Sequence, residues 1–230
     1  IAQLVWGAAQ PVFGAMADRW GPGRVIVLGA FLLAAGYALT TQVTSEWGLI
    51  FTLGLLSAAG AGAGSFSILI GATAQRIPDD KRSLAGGVIN AGGSMGQFIF
   101  APLIQKLIQS IGWMGAAWAM AVTALATLPL IGKLARSTDT KPIHAESGQR
   151  LGAMVRSAVQ DRNYLLLNIG FFTCGFHIAF LVTHLPGEVD LCGLPPSVAS
   201  WSLAIIGLAN VFGSLFAGYC VSHYKSKYVL

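Results

Sequence analysis

Long stretches without a single charge recur along this chain, and no other feature restricts its fold so tightly. Val25–Val43, Trp47–Ala74, Tyr164–Pro186 and Ser197–Val221 contain no Asp, Glu, Lys or Arg, and each matches the ~20 residues a helix needs to cross the hydrocarbon core of a bilayer. A soluble helix of that length would carry a charged face. Inside hydrocarbon the backbone must satisfy its own N–H and C=O groups, which leaves helices or a closed barrel. The runs are continuous and do not alternate with period two, so the barrel is excluded. The sequence predicts an all-α, polytopic membrane protein.

Composition agrees: 54% of the 230 residues are hydrophobic and 10% charged, against roughly 25% charged in a soluble domain. Ile1–Ala17, Leu84–Ile108 and Trp113–Leu134 complete a set of about seven transmembrane spans, the first expected to be incomplete. The chain starts inside an apolar run without a methionine and reads as truncated at both ends. Basic loops (Asp18–Arg24, Gln75–Ser83, Lys133–Asn163, Ser222–Tyr228) alternate with short loops around Thr44–Glu46, Gln109–Gly112 and Gly187–Pro196. Of the 14 Lys and Arg residues only Lys106 lies away from the first group, so those loops are expected on the cytoplasmic side. Lys106 sits near an outer span end, where its alkyl stem can snorkel to the headgroups. Trp47, Trp113 and Trp201 fall near outer span ends, as interfacial aromatics do.

The net charge of +5 does not form a stripe suited to nucleic acid, because the basic residues fall in short clusters between apolar runs. Cys174, Cys192 and Cys220 lack metal-ligand spacing, and no metal or cofactor is expected. No nucleotide-binding loop, HExxH or nucleophile–base pair is present, so neither an enzyme nor an ATP-driven pump is indicated. The one long polar stretch, Lys133–Asn163, separates the first five spans from the last two. Within it Leu151–Val159 has amphipathic spacing, which suits either a short helix on the membrane surface or a loop.

Between the first two spans the chain reads Gly14-Ala-Met-Ala-Asp18-Arg19-Trp20-Gly21-Pro22-Gly23-Arg24. This resembles the cytoplasmic signature of the major facilitator superfamily, G-x-x-x-D-R/K-x-G-R/K-R/K, through Gly14, Asp18, Arg19 and Gly21, with Arg24 left of the basic cluster. A degenerate copy follows the seventh span, Gly218-Tyr-Cys-Val-Ser222-His223-Tyr224-Lys225, with Ser222 for the aspartate and His223 for the arginine. Recurrence six spans later is what two parallel halves would produce. The resemblance implies the major facilitator fold and a fragment covering spans two to eight of twelve. Residues 1–134 would then belong to an N-terminal bundle, 135–163 to a central cytoplasmic linker and 164–230 to the start of a C-terminal bundle. It also implies a pairing of Asp18 with charges of the loop Gln75–Ser83, Arg76 first among them.

Gly170–Pro186 and Ser197–Tyr219 look like bacterial monocarboxylate-type facilitators, including oxalate/formate exchangers. The resemblance implies a multi-pass protein of a bacterial inner membrane. Many members of that group carry an arginine in the span corresponding to Ser197–Val221, and this chain has no charge there.

Polar residues inside spans mark the candidate site. At 100° per residue, Asn90, Ser94 and Gln97 fall within about 60° of one another. That stripe suits either a watery cavity or hydrogen-bonding glue between helices. In the sixth span Gly170, Thr173, His177 and His184 share a side, and His177 lies about 20 Å from the cytoplasmic end, near mid-membrane. A histidine there can contact solute or exchange a proton, or simply pack. The glycine-rich run Gly60, Gly62, Gly64 with Ser65 and Ser67 reads as close helix contact. The expectation is a secondary transporter moving a small organic solute, monocarboxylate-like, coupled to protons. The alternatives are a drug or metabolite exporter of the same fold and a non-transporting solute sensor.

Overall fold

The computed structural model describes residues 1–74, 77–78, 81–131 and 151–223, and among them every regular element is helical. Helix α1 (Ala2–Trp20) and α2 (Pro22–Thr40) form a hairpin. The third span follows in pieces: a first turn α3 (Glu46–Leu49), a π-helical segment Ile50–Ser57, α4 (Ala58–Ala63) and α5 (Phe66–Ala74). Helix α6 (Arg82–Ala126) comes next, then α7 (Leu151–Gln160), α8 (Arg162–Leu191) and α9 (Pro196–His223). The amphipathic stretch, for which the sequence allows a helix or a loop, is the helix α7.

The described segments Pro22–Thr40, Glu46–Thr73, Arg82–Ile131, Arg162–Leu191 and Pro196–His223 are long and apolar enough to cross a bilayer. Helix α1, which carries Gln3, Gln10 and Asp18, is less apolar than these. Helix α6 is twice as long as one crossing needs. It is two spans joined at Gly112, whose φ of 74° and ψ of 170° break the helix. The turn expected over Gln109–Gly112 is thus compressed into one residue, in a backbone region essentially reserved for glycine. Helix α8 runs through Pro186 to Leu191, past the end expected from the sequence.

By its contacts the chain divides into two compact units, Ile1–Pro142 with Ser200–Leu230, and Ile143–Ala199. In the first unit, α2 packs against the π segment, α4 and α6, and α1 packs against α4. One buried cluster joins Phe13, Val25, Ala63 and Ile68, and another joins Ala34 of α2 to Ala121 and Ala124 of α6. Small residues dominate these seams because, in lipid, helices gain little by burying oil against oil and associate by close backbone approach. A Cβ on Gly60 would lie 2.7 Å from the carbonyl oxygen of Gly29, and one on Gly29 2.9 Å from that of Gly60. Gly36 meets Ser57 in the same way. Hydroxyls inside spans mostly turn back on their own helix, as Thr40 Oγ1 donates to the Gly36 carbonyl at 2.7 Å and Thr123 Oγ1 to that of Ala119 at 2.7 Å.

In the second unit the apolar side chains of α8 face outward, with Phe171 74% and Phe172 72% exposed. In water such a surface would aggregate; on a thirty-residue helix whose central run is uncharged it suits lipid or further helices.

Candidate functional site

The α1–α2 turn carries the charge cluster that the sequence singles out. Arg19 lies in the last turn of α1, beside Asp18, and Gly21 closes the helix with φ 86° and ψ 143° while its N–H donates to the Ala17 carbonyl at 2.9 Å. Pro22, which has no N–H to lose, opens α2, and Arg24 follows within its first turn. Asp18, Arg19 and Arg24 are all exposed at this end of the hairpin, and Gly14 sits one turn inside. Arg76, the expected partner of Asp18, lies outside the described residues.

The polar stripe of α6 faces α9. Asn90 Nδ2 donates to Ser214 Oγ at 2.6 Å, and Ser83 Oγ donates to the Gly218 carbonyl at 3.1 Å. Between these bonds the backbones nearly touch: a Cβ on Gly87 would lie 2.7 Å from the Ser214 carbonyl oxygen and 3.1 Å from Gly218 Cα. Farther along, a Cβ on Gly207 would lie 2.9 Å from the Ser94 carbonyl oxygen and 3.2 Å from Gln97 Cβ. The structure thus brings Asn90, Ser94 and Gln97 together along one seam, with Ser214 of α9 as the partner of Asn90. Gly92 and Gly96 of the same helix have nothing among the described residues within 4 Å of the place a methyl group would take.

The two histidines belong to α8, in the other unit. His177 Nδ1 lies 2.8 Å from the Thr173 carbonyl, and since a carbonyl can only accept, Nδ1 carries the proton. In the neutral ring Nε2 is then an open acceptor. Phe176 meets His177 edge-on at 6.2 Å, and His184 leans on Phe180 at 4.9 Å, so an aromatic ladder fixes both imidazoles along the helix.

A third polar place occurs where the third span breaks. Gly64 and Ser65 interrupt the helix between α4 and α5. Just beyond, Ser67 Oγ donates to Gln10 Oε1 of α1 at 3.2 Å. Close approach of α1 makes this possible, since a Cβ on Gly62 would lie 2.9 Å from Ala9 Cβ.

Comparison with known proteins decides what kind of chain this is. The sequence profile of the Major Facilitator Superfamily matches it over residues 1–230. The chain belongs to the Major Facilitator Superfamily. It is similar to Monocarboxylate transporter 13 of Bos taurus, 31% identical over 91% of this chain and 48% of that protein. MFS-type transporter 1 of an Ophiocordyceps species is 26% identical over 90% of this chain and 45% of its own length. The inner membrane transport protein YajR of Escherichia coli is 26% identical over 99% of this chain and 50% of its own. The chain spans about half the length of these curated relatives.

Membership of this superfamily, with the apolar helices, makes the chain part of an integral membrane protein and sets it among transporters, not enzymes. For a superfamily member, polar groups inside the membrane are the informative ones. The histidines and the α6 stripe stand out in the sequence by that rule. Gln10 shares a face of the first span with Gln3, Gly7 and Gly14 that the sequence leaves as helix contact or cavity lining, and Ser67 falls in the glycine-rich run that reads as packing. The available signal is the order Gly62-Ala-Gly64-Ser65, which puts a helix breaker and a helix-capping residue in the middle of an uncharged run.

Proposed function

We propose that the chain is about half of a secondary active transporter that moves a small monocarboxylate-like anion, together with protons, by alternating access. The observation that carries this reading is the 31% identity to a protein named as a monocarboxylate transporter, extending over 91% of the chain. The geometry supplies parts that fit. The α6–α9 seam, built of glycines and short polar side chains, lets two helices tilt on each other without large side chains having to pass. His177 offers Nε2 as a proton acceptor near mid-membrane. Asp18, Arg19 and Arg24, with Arg76, form the charged cytoplasmic end that the positive-inside rule requires, and Asp18–Arg76 is the pairing that would hold one conformation. A bacterial inner membrane is the setting we assign, in keeping with the name of the Escherichia coli relative.

The test is flux. The full-length protein, reconstituted in liposomes, is given labelled acetate, lactate and formate with and without an inward proton gradient. Gradient-stimulated uptake that vanishes in His177→Ala, with folding retained, supports the reading. Uptake indifferent to the gradient removes the proton, and solute binding without any flux makes the protein a sensor.

A further inference from the structure

Helix α7 is held at the membrane surface by the helix that follows it. Residues 163–187 of α8 include no Asp, Glu, Lys or Arg, enough for the ~20 residues that one crossing takes. The first turn of α8 therefore stands at a boundary of the hydrocarbon, on the side the basic loops assign to the cytoplasm. Tyr164, 47% exposed, lies in that turn, where interfacial aromatics sit. Only Asp161 separates it from α7. The Asp161 backbone is extended, with φ −80° and ψ 114°, and its carboxylate accepts from the N–H groups of Asn163 at 2.8 Å and Tyr164 at 3.4 Å. One helix thus ends, and the next starts with its own cap a residue later. From Gln160 to Arg162 the chain can reach ~7 Å at most, so the end of α7 stays at headgroup level.

Two unlike faces meet that surface. Leu151, Met154, Val155, Ala158 and Val159 recur at i, i+3, i+4, i+7 and i+8, the spacing of one apolar stripe, and Arg156, Ser157 and Gln160 fall on the other side. Arg156, Ser157 and Gln160 are exposed, and so is Val159, at 54%. The corner end of the stripe is therefore not spent on packing against α8. An upright α7 would carry its stripe ~15 Å out into water. A helix lying flat sinks the stripe below the headgroups and keeps the polar side wet. Arg156 and Arg162, one on each side of the corner, are exposed, and neither has an acidic partner among the described residues. Guanidinium groups free at headgroup level complement lipid phosphates, and most of all lipids of net negative charge.

We propose that α7 lies flat on the cytoplasmic leaflet and binds anionic phospholipid, its apolar stripe in the acyl boundary and Arg156 and Arg162 toward the headgroups. This contact is independent of the solute carried. Because one residue joins the two helices, lipid that holds α7 also holds the cytoplasmic end of the span that carries His177 and His184.

A bimane fluorophore on Val159→Cys or on Ser157→Cys tests it in the full-length protein, with Cys174, Cys192, Cys220 and any further cysteine replaced by alanine. The protein is placed in phosphatidylcholine liposomes doped with nitroxide lipid, either phosphatidylglycerol or phosphatidylcholine, the nitroxide high on the acyl chain. At position 159 the nitroxide lipids should quench; at position 157 aqueous iodide should quench instead. Phosphatidylglycerol should quench position 159 at a lower mole fraction than phosphatidylcholine. Arg156→Gln should cut that preference about fivefold, the worth of one basic side chain at an anionic surface, and about 0.5 M salt should cut it as well. An unchanged thermal midpoint confirms that the variant is folded. Equal quenching by the two lipids, or a preference that Arg156→Gln leaves intact, overturns the anionic-lipid assignment. A probe at position 159 that neither lipid quenches overturns the membrane contact: open to iodide, it puts the helix in water, and shielded from iodide, it puts protein over the stripe.

Discussion

Gly87→Ala probes the seam between α6 and α9 most directly. The added Cβ would sit 2.7 Å from the Ser214 carbonyl oxygen and 3.1 Å from Gly218 Cα. Both are backbone atoms, so no side chain can swing away. Restoring ordinary contact at about 3.5 Å requires the helices to part by roughly 0.5–0.8 Å. The Asn90–Ser214 bond of 2.6 Å would stretch to the limit of hydrogen bonding, and the Ser83–Gly218 bond of 3.1 Å would pass beyond it. Overpacking of this kind costs about 1–3 kcal/mol. Two interhelical hydrogen bonds in a membrane protein contribute about 0.6 kcal/mol each, and alanine returns about 0.5–1 kcal/mol of helix propensity. The net loss should be roughly 1.2–3.7 kcal/mol, about eightfold or more in the folding equilibrium. Gly92→Ala on the same helix is the control: nothing among the described residues lies within 4 Å of its Cβ position, so propensity alone should stabilise it by about 0.5–1 kcal/mol. Equilibrium unfolding of the full-length protein in mixed micelles, titrated with sodium dodecyl sulfate, reads both. Shifts of the same sign in the two variants, or a Gly87→Ala protein as stable as wild type, would refute the seam.

Gly21→Ala should strain the α1–α2 turn, where φ 86° and ψ 143° are open to glycine alone, by about 1–3 kcal/mol; we expect lower maximal flux at unchanged solute affinity in proteoliposomes. Ser57→Ala removes a buried hydroxyl that has no partner among the described residues and should leave the unfolding midpoint unchanged or raised, whereas Gly36→Ala, whose Cβ would press on Ser57, should destabilise the fold by about 1–3 kcal/mol. His177→Phe keeps an aromatic ring beside Phe176 but removes Nε2; counterflow of solute at equal pH should survive while stimulation by a proton gradient is lost.

How much of this is legible in the sequence depends on which signal each element emits. Spans announce themselves by the absence of charge, and Val25–Val43 against Pro22–Thr40 shows the typical error of a few residues at each end. Turns emit less. The Gln109–Gly112 connection is visible, yet that a single glycine makes it depends on a backbone angle the sequence does not specify. The end of α8 is misread because Pro186 looks like a stop, whereas the turns beyond it continue helical to Leu191. Within the α6 stripe, Asn90 reads equally as a cavity group and as glue. Only the placement of Ser214 2.6 Å away shows what it bonds to in this conformation.

The third span explains why the rest stays hidden. From Trp47 to Ala74 nothing but uncharged residues occurs, so composition predicts one straight helix, while the structure holds a π segment, a break and a fresh helix start. In water such a break would be marked by polar residues hydrating the freed backbone. In a membrane it persists only where other protein groups or a cavity meet the freed N–H groups, and beside this break the Ser67 hydroxyl donates to a glutamine amide from another helix. Glycine signals both close packing and a break, and the two look alike in sequence. They separate in the structure by what a side chain would meet: Gly29 and Gly60 seal a seam, whereas a Cβ on Gly64 would find only the Ala61 carbonyl oxygen, at 3.9 Å.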